Sequence, residues 1–229
     1  MKSSITLKDI DFSYNKKDKV LSISELNILE GEKIFIYGPS GSGKSTLLNL
    51  IAGVLSPEQG LLTILGRNMA ELSMSKKDRF RGDHIGFVFQ SFNLISYLTI
   101  YENILLPLKS SKKRHSKVKG NIDSEIKRIA AHLKIDGFLD KRVTQLSIGQ
   151  QQRVAVARAL VGSPEIVIAD EPTSSLDEEV TDSFMELLIE EHRNKKFTLL
   201  FVSHDRRLSR FFDREIALCE INQGARKNA

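Results

Sequence analysis

A glycine-rich segment near the beginning of the chain has residue types and a spacing that suit phosphate binding. It runs Gly38-Pro39-Ser40-Gly41-Ser42-Gly43-Lys44-Ser45-Thr46. Glycines let backbone N–H groups converge on phosphate oxygens, and the helical pattern that follows adds a favourable dipole. The segment is therefore predicted to bind the phosphates of a nucleotide. Lys44 is expected to reach the β- and γ-phosphates, and the Ser45 hydroxyl to ligate Mg²⁺.

An acidic pair, Asp170-Glu171, follows the aliphatic run of residues 166–169. Asp170 is predicted to hold Mg²⁺ through its water shell, and Glu171 to polarise the attacking water as a general base or by orientation. The structural alternative is an ordinary acidic pair at the beginning of a helix, since Pro172 follows. The phosphate-binding segment upstream favours the catalytic interpretation.

Two further polar residues follow apolar runs. Gln90 comes after residues 85–89, and His204 comes after residues 198–202. The Gln90 amide is suited to bind Mg²⁺ or the attacking water. A single histidine is more often a surface or core residue than a catalytic one, but a position at the end of a strand favours a catalytic role for His204.

A second short turn of small residues stands at the head of a helical pattern. It runs Leu146-Ser147-Ile148-Gly149-Gln150, and the helix is expected over residues 150–162. A helix N-terminus of this kind also suits an anion. Together with the first segment, it indicates a nucleotide contacted from two sides.

Strand-sized apolar runs alternate with helical patterns along the chain. The runs lie at residues 33–37, 85–89, 166–169 and 198–202. This alternation predicts an α/β fold with a mostly parallel sheet covered on both faces. Ligands of such folds gather at the carboxyl ends of the strands, where the polar residues above are found.

Two regions depart from this alternation. Residues 1–30 hold shorter alternating segments that predict an antiparallel edge sheet, and residues 93–160 have no strong strand and are typical of a helical insertion. The predicted organisation is a single domain over residues 1–229, with a core of residues 1–90 and 161–229 and a helical subdomain of about residues 91–160.

The composition is that of an ordinary globular protein, with 41% apolar and 28% charged residues. No apolar run approaches the roughly 20 residues of a membrane-spanning helix, and residues 1–6 lack the apolar core of a signal peptide. The single cysteine, Cys219, excludes an internal disulfide and fits a reducing cytosol. It is expected to pack as a small hydrophobe.

The positive charge is concentrated in residues 109–119, which hold six Lys or Arg residues and no acidic residue. Such a run is typical of a solvated loop. The alternative is a surface for anionic lipid headgroups or nucleic acid. The absence of aromatic residues from the run weakens the nucleic-acid version.

Taken in order, these residues resemble the ATP-binding subunit of ABC transporters over essentially the whole chain. The resemblance rests on the phosphate loop 38–46, Gln90 of a Q-loop, the signature 146–150, Asp170-Glu171, the D-loop Ser174-Ser175-Leu176-Asp177 and the switch residue His204. It implies an ABC-type ATPase: a P-loop NTPase core with an N-terminal antiparallel β subdomain and an inserted α-helical subdomain, using ATP and Mg²⁺. It also implies that Tyr14 stacks on adenine, whereas the alternation places Phe12 with the core.

The resemblance further implies a homodimer in which two subunits stack head to tail around two ATP molecules. Ser147 and the Gly149 backbone N–H then face the γ-phosphate held by the other copy, with Gln150 beside them. Asp177 is expected to link the two sites across the interface. Binding of ATP closes such a dimer, and hydrolysis opens it.

Residues 86–95 and 98–108 are similar to the lipoprotein-releasing and macrolide-exporting (LolD/MacB-like) group of this family. The similarity implies a membrane permease partner of FtsX/MacB-like type and a cytoplasmic location at the membrane through that partner. One alternative is an FtsE-like regulator that signals through an FtsX-like membrane protein. The other is a soluble ABC-type ATPase acting on nucleic acid, but the chain lacks the tandem cassettes and the Cys-x-x-Cys site usual there, so no nucleic-acid partner is expected.

The signature departs from the common family pattern at one position, where Ile148 replaces a glycine. A β-branched residue disfavours a positive φ angle, so the backbone at Ile148 is expected to avoid the left-handed region. Since Ser147 and Gly149 are the phosphate-facing pair, we expect activity to be retained.

Overall fold

The computed structural model describes residues 2–15, 18–174 and 176–224. The strands are β1 (Ser3–Ser13), β2 (Lys19–Leu29), β3 (Lys33–Tyr37), β4 (Gln59–Ile64), β5 (Arg67–Asn68), β6 (Ile85–Val88), β7 (Ile166–Asp170), β8 (Thr198–Val202) and β9 (Arg214–Ala217). The helices are α1 (Lys44–Ile51), α2 (Met74–His84), α3 (Ile100–Ser110), α4 (Lys112–Lys117), α5 (Ile122–His132), α6 (Ile148–Leu160), α7 (Glu178–Lys195) and α8 (Leu218–Ile221). No helix in these ranges is long and apolar enough to cross a membrane. The chain divides into two compact units, Met1–Arg81 with Thr198–Ala229, and Gly82–Phe197.

The first unit contains an antiparallel sheet with the strand order β2-β1-β4-β5. Leu7 of β1 lies opposite Leu26 of β2 and Leu62 of β4. Ile5 and Leu7 are fully buried, whereas Thr6 between them is not, as expected for a strand with one face on a core. The predicted antiparallel sheet near the N-terminus is confirmed.

The same unit contains parallel strands, with β3 paired to both β8 and β9. Ile36 lies opposite Val202 of β8, so β3 and β8 end at the same edge. Phe35 and Phe201 are fully buried and their rings stack at 6.4 Å. Parallel strands buried on both faces are continuously apolar, which is why these strands could be predicted from apolar runs in the sequence.

In the second unit, β6 pairs in parallel with β7, with Val88 opposite Ala169. The signature helix α6 lies directly on β6. Gly86 has no side chain, and a Cβ at this position would overlap the backbone carbonyl of Ala159 near the end of α6. This close approach sets the position of α6 against the strand.

The basic run is not the loop that the sequence favours, although most of its Lys and Arg side chains are exposed to solvent as expected. It forms the end of α3 and the short helix α4, which is attached to the second unit by its own cations. The Arg114 side chain is buried and its Nη2 donates to the Ala159 carbonyl at 2.6 Å. Lys117 Nζ donates to the Ser163 carbonyl at 2.8 Å and pairs with Glu165 at 2.9 Å.

Glu165 is the acidic residue that two of these cations, Lys113 and Lys117, share. Its carboxylate also accepts a hydrogen bond from His84 Nδ1 at 3.1 Å. Burial would raise the pKa of the Glu165 carboxyl, but the hydrogen bonds from His84 and Lys117 outweigh burial and lower that pKa to about 2. A run of like charges was predicted as a loop because its counter-charge lies about 50 residues away in the sequence, beyond any local pattern.

Cys219 lies in α8 and is exposed. The expectation that it packs as a small hydrophobe is therefore wrong. Its neighbour Leu218 is fully buried instead, because successive residues of a helix point about 100° apart.

We predict that Gly86→Ala destabilises the protein by about 2–3 kcal/mol, because the new methyl group must displace backbone of α6. The measurement is urea denaturation followed by circular dichroism. Gly82→Ala is the matched control: a Cβ there meets no atom within 4 Å. Since Gly82 lies inside α2, the control is expected to gain about 0.5–1 kcal/mol. Equal stability of the two variants would show that β6 and α6 tolerate separation.

Candidate functional site

The phosphate loop of the first unit connects β3 to α1. Gly43 stands immediately before α1 with φ 98°, and a Cβ there would lie 2.7 Å from Leu21 Cδ2, so both backbone and space require glycine. In the described chain, α1 has no side-chain cap at its N-terminus and no acidic residue in its first turn. Its N-terminal N–H groups are thus available to an anion.

Lys44 of this loop is almost fully buried. Its Nζ donates to the carbonyl oxygens of Gly38 at 2.9 Å and Pro39 at 3.0 Å. The ammonium group is therefore held over the loop, next to the glycine-rich backbone. A phosphate in the loop would replace these neutral acceptors by charged ones, which make stronger hydrogen bonds.

A fully buried amide supports the loop from the C-terminal part of the chain. Asn222 Nδ2 donates to the carbonyls of Val20 at 2.9 Å and Ser42 at 3.1 Å. Its Oδ1 accepts from the Ser22 N–H at 2.8 Å. Sequence reasoning missed Asn222, since a single asparagine 180 residues from the loop carries no local signal.

Tyr14 lies beside the same loop. Its hydroxyl is 3.2 Å from Thr46 Oγ1, and its side chain is 64% exposed. Phe12 is 6% exposed and meets the Tyr14 ring edge-on at 5.0 Å. Of the two candidates for adenine stacking, Tyr14 is thus the one with a ring surface accessible to a ligand.

His204 follows β8, and its side chain is exposed. The Ser203 N–H donates to the Ile36 carbonyl at 3.3 Å, which joins the ends of β8 and β3. His204 therefore leaves the sheet at the edge where β3 leads into the phosphate loop.

In the second unit, the acidic pair ends β7. Glu171 has φ 46°, a left-handed conformation that is costly for a residue with a side chain and is found at functional sites. The next residue, Pro172, is held by the fully buried Gln152 of α6, whose Nε2 donates to the Pro172 carbonyl at 2.9 Å. Gln152 is a second supporting amide that sequence reasoning did not identify.

Gln90 follows β6 by two residues and is exposed. Because β6 and β7 are parallel and in register, Gln90 and the acidic pair come at the same edge of this strand pair. The second unit thus collects an amide and two carboxylates at one edge. These oxygen donors match the preference of Mg²⁺. Over the described ranges, this edge included, no group of three or more His, Cys, Asp or Glu residues is arranged to hold a metal ion.

The signature segment forms the beginning of α6, which starts at Ile148 and not at residue 150. Ser147 caps the helix and forms a capping box with Gln150: the Gln150 N–H donates to Ser147 Oγ at 3.3 Å, and the Ser147 N–H donates to Gln150 Oε1 at 3.0 Å. The expected boundary was wrong because the serine cap and its partner three residues later were not used as the start signal.

The D-loop leads into α7. The Asp177 side chain caps this helix, accepting the Val180 N–H at 2.9 Å. Leu176 precedes the cap, and Ser175 lies outside the described residues. Asp177 therefore stabilises the N-terminus of α7 within one chain. The sequence predicts only that Asp177 links the two nucleotide sites of a dimer.

A sequence profile described as ABC transporter matches residues 21–174. The chain belongs to the ABC transporter family. This ABC protein is an ATP-binding, ATP-hydrolysing subunit, as the resemblance predicted. The match covers the phosphate loop, Gln90, the signature and the acidic pair, which explains why these motifs appear in this order.

Individual relatives match over most of the ABC chain. It is 40% identical over 223 residues to an uncharacterized ABC transporter ATP-binding protein, MJ0796 of Methanocaldococcus jannaschii, covering 93% of this chain and 92% of the relative. It is 40% identical to the lipoprotein-releasing system ATP-binding protein LolD of Anaeromyxobacter dehalogenans, covering 88% and 83%. A dimeric structure of MJ0796 bound to ADP and Pi, in a post-hydrolysis state, superposes with a TM-score of 0.79 at 36% identity, over 96% and 95% of the two chains.

Ile148 is the position where this ABC signature departs from the common pattern. It is the first residue of α6, it is 52% exposed, and its φ angle is not positive. The expectation of a backbone outside the left-handed region is confirmed. An isoleucine at this position is thus compatible with the helix that carries the signature.

We predict that Ile148→Gly keeps the ATPase rate within about threefold of the wild type, a difference below about 0.7 kcal/mol. The physical reason is that the helix needs no glycine at this position. The measurement is steady-state phosphate release at saturating ATP. Ile148→Ala, which removes the side chain and keeps the backbone preference, is the control. A many-fold gain in both variants would mean that the Ile148 side chain restrains turnover, and a gain in Ile148→Gly alone would assign the restraint to the backbone preference at this position.

Proposed function

We propose that the chain is the ATPase subunit of a transport or extraction complex, that it dimerises head to tail around two ATP molecules, and that it drives an integral membrane permease of FtsX/MacB-like type. The observation that carries the dimer is the N-terminus of α6. Ser147 and Ile148 there are exposed, and in the described chain the first turn of this 13-residue helix holds no acidic residue. This end suits a phosphate, and the related MJ0796 is dimeric with ADP and Pi bound.

The residues of the first unit are proposed to bind ATP. The backbone of residues 38–46 and the Lys44 ammonium hold the phosphates, and Tyr14 stacks on adenine. Lys44 exchanges its two carbonyl partners for phosphate oxygens when ATP binds. His204, at the end of β8, is proposed to act on the γ-phosphate side of the same nucleotide.

The residues of the second unit are proposed to promote hydrolysis. Glu171 accepts a proton from the attacking water or orients it, and Gln90 binds the same water. Asp170, through the water shell of the ion, and the Gln90 amide oxygen are the groups of this unit proposed to hold Mg²⁺. The family resemblance adds the Ser45 hydroxyl of the phosphate loop as a proposed ligand. The ion supplies charge neutralisation for the transferred phosphoryl group. From the other copy, Ser147, Gly149 and Gln150 at the signature contact the γ-phosphate, and Asp177 links the two sites.

The proposed membrane partner is supported by exposed aromatic residues in the segment that contains Gln90. Phe89 is 36% exposed and Tyr97 is 74% exposed, although both lie in a unit with a large buried core. Exposed aromatic residues grouped along one loop are typical of a contact surface. A membrane protein bound there would hold the chain at the cytoplasmic face of the membrane. The similarity to LolD, which is named for a lipoprotein-releasing system, supports the same partner class.

We predict that Glu171→Gln still binds ATP but lowers the hydrolysis rate by about 10²–10⁴-fold, because the amide cannot accept the proton of the water. The variant is expected to accumulate as an ATP-bound dimer, measured by size-exclusion chromatography with and without ATP. Glu179→Gln, an exposed carboxylate in the first turn of α7, is the matched control and is expected to hydrolyse normally. Normal hydrolysis by Glu171→Gln would contradict the role assigned to Glu171.

We also predict that the tagged chain, recovered from detergent-solubilised membranes of its source, brings with it an integral membrane protein with four spanning helices and a large outer domain. Tyr97→Glu is expected to abolish this recovery by placing a charge on the contact surface. Met74→Glu changes another residue with an exposed apolar side chain, in the first unit, and is expected to recover the partner normally. Mass spectrometry identifies the bound protein; a partner that binds cell-wall enzymes would favour the FtsE-like alternative, and recovery of nucleic acid alone would contradict the proposal.

A further inference from the structure

We propose that Arg158 is a positioning residue for Gln90: its guanidinium fixes the loop that follows β6 to the signature helix α6. The inference rests on the proposed role of Gln90 in hydrolysis. Arg158 Nη2 donates to the Phe92 carbonyl at 2.6 Å, and Nη1 donates to the Asn93 carbonyl at 2.7 Å. These two acceptors follow Gln90 by two and three residues.

The loop adopts a conformation that it would not choose by itself. Phe92 and Asn93 are consecutive residues with side chains, and both have left-handed backbones, with φ 59° and 47°. This region is unfavourable for L-residues, and most of all for a bulky one such as phenylalanine. Strained residues of this kind persist where surrounding contacts over-determine them. The guanidinium fork, which binds both carbonyls together, is such a contact.

The hydrogen-bond acceptors of Arg158 are backbone carbonyls, which distinguishes this contact from an ion pair. Its side chain is half-buried, and burial lowers the pKa of its guanidinium. In the described part of the chain its guanidinium donates hydrogen bonds to these carbonyls, and no carboxylate forms an ion pair with it. A planar donor with two parallel N–H groups sets the orientation of two acceptors at once, which a lysine ammonium does not.

The backbone of Arg158 is itself held in place by the packing of α6. Arg158 lies in the last turn of α6, next to Ala159, whose carbonyl leaves no room for a side chain at Gly86 of β6. The helix is thus seated on the strand from which the loop emerges. The segment with Gln90 is thus held at both of its ends: β6 before it packs against α6, and Phe92 and Asn93 after it are hydrogen-bonded to Arg158 of the same helix.

Removal of the guanidinium releases Phe92 and Asn93 to relax towards ordinary backbone angles, which displaces Gln90. The groups proposed to hold the adenine and the phosphates of ATP within one subunit, Tyr14 and the phosphate loop, do not include Gln90. The loss is therefore expected in kcat and not in KM for ATP. A purely structural role for Arg158 predicts lower thermal stability without this separation.

The test uses the full chain with four substitutions. Arg158→Ala is expected to lower kcat at least about tenfold while KM for ATP stays within about twofold, and Arg158→Lys is expected to restore only part of the loss. Asn93→Gly is expected to hydrolyse ATP within about twofold of the wild type. In the double variant Arg158→Ala/Asn93→Gly, kcat is expected to recover several-fold over Arg158→Ala, because glycine adopts the left-handed conformation without a clamp.

A second readout does not depend on hydrolysis. The chain has no tryptophan, so Phe89→Trp places a single fluorescent reporter directly before Gln90, at a ring that stacks on Phe87 at 4.2 Å. In this background Arg158→Ala is expected to increase acrylamide quenching of the reporter, and Asn93→Gly is expected to reverse the increase. Unchanged quenching in Arg158→Ala, or loss of kcat that Asn93→Gly does not rescue, would overturn the proposal.

Gln90→Ala, measured in parallel, separates this proposal from the proposed function. If Gln90→Ala retains the wild-type kcat, the role of Gln90 in hydrolysis is wrong, and the inference that Arg158 positions it for hydrolysis falls with it. If Gln90→Ala loses activity while quenching and kcat are unchanged in Arg158→Ala, only the positioning role of Arg158 is wrong. Loss in both, with rescue by Asn93→Gly, supports both.

Discussion

The structure depends on the parallel pairing of short apolar strands, which brings the ends of strands that are distant in sequence to a common edge. In the first unit, Ile36 lies opposite Val202, so the phosphate loop and His204 leave neighbouring strands side by side. In the second unit, Val88 lies opposite Ala169, so the segments that contain Gln90 and Asp170 do the same. Because the carboxyl ends of paired parallel strands lie at the same edge, the strand pairing in each unit brings the polar residues that follow those strands close together.

The loops at these edges require backbone conformations that the strands do not supply. At Gly43 the requirement is met by a glycine. At Glu171 and Phe92 it is met by residues with side chains, which need support from elsewhere. The support comes from polar groups of α6: Gln152 holds the residue after Glu171, and Arg158 holds the loop after Gln90. The helix that begins at the signature is thus also the support for the loops of its own unit.

Much of the fold and of the candidate site could be predicted from the sequence. The four buried strands are continuously apolar, and the phosphate loop has a spacing with few alternative uses, so both are marked by local pattern. The basic run was harder, because a dense group of lysines has the composition of a loop and Glu165, which pairs with it, is remote. The start of α6 was misplaced by two residues, since the capping box of Ser147 and Gln150 was not used to set it.

The sequence by itself determined which groups are available for chemistry and in what order they occur, because motif spacing and strand periodicity are local properties of the chain. Only the tertiary structure decided how those groups are held. Asn222 supports Ser42 across 180 residues, and Arg158 reaches Asn93 across 65. Hydrogen bonds of this kind depend on two elements meeting in space, and neither partner's neighbours in sequence reveal the contact. The loops therefore become defined only when the helices that hold them are packed on the sheet.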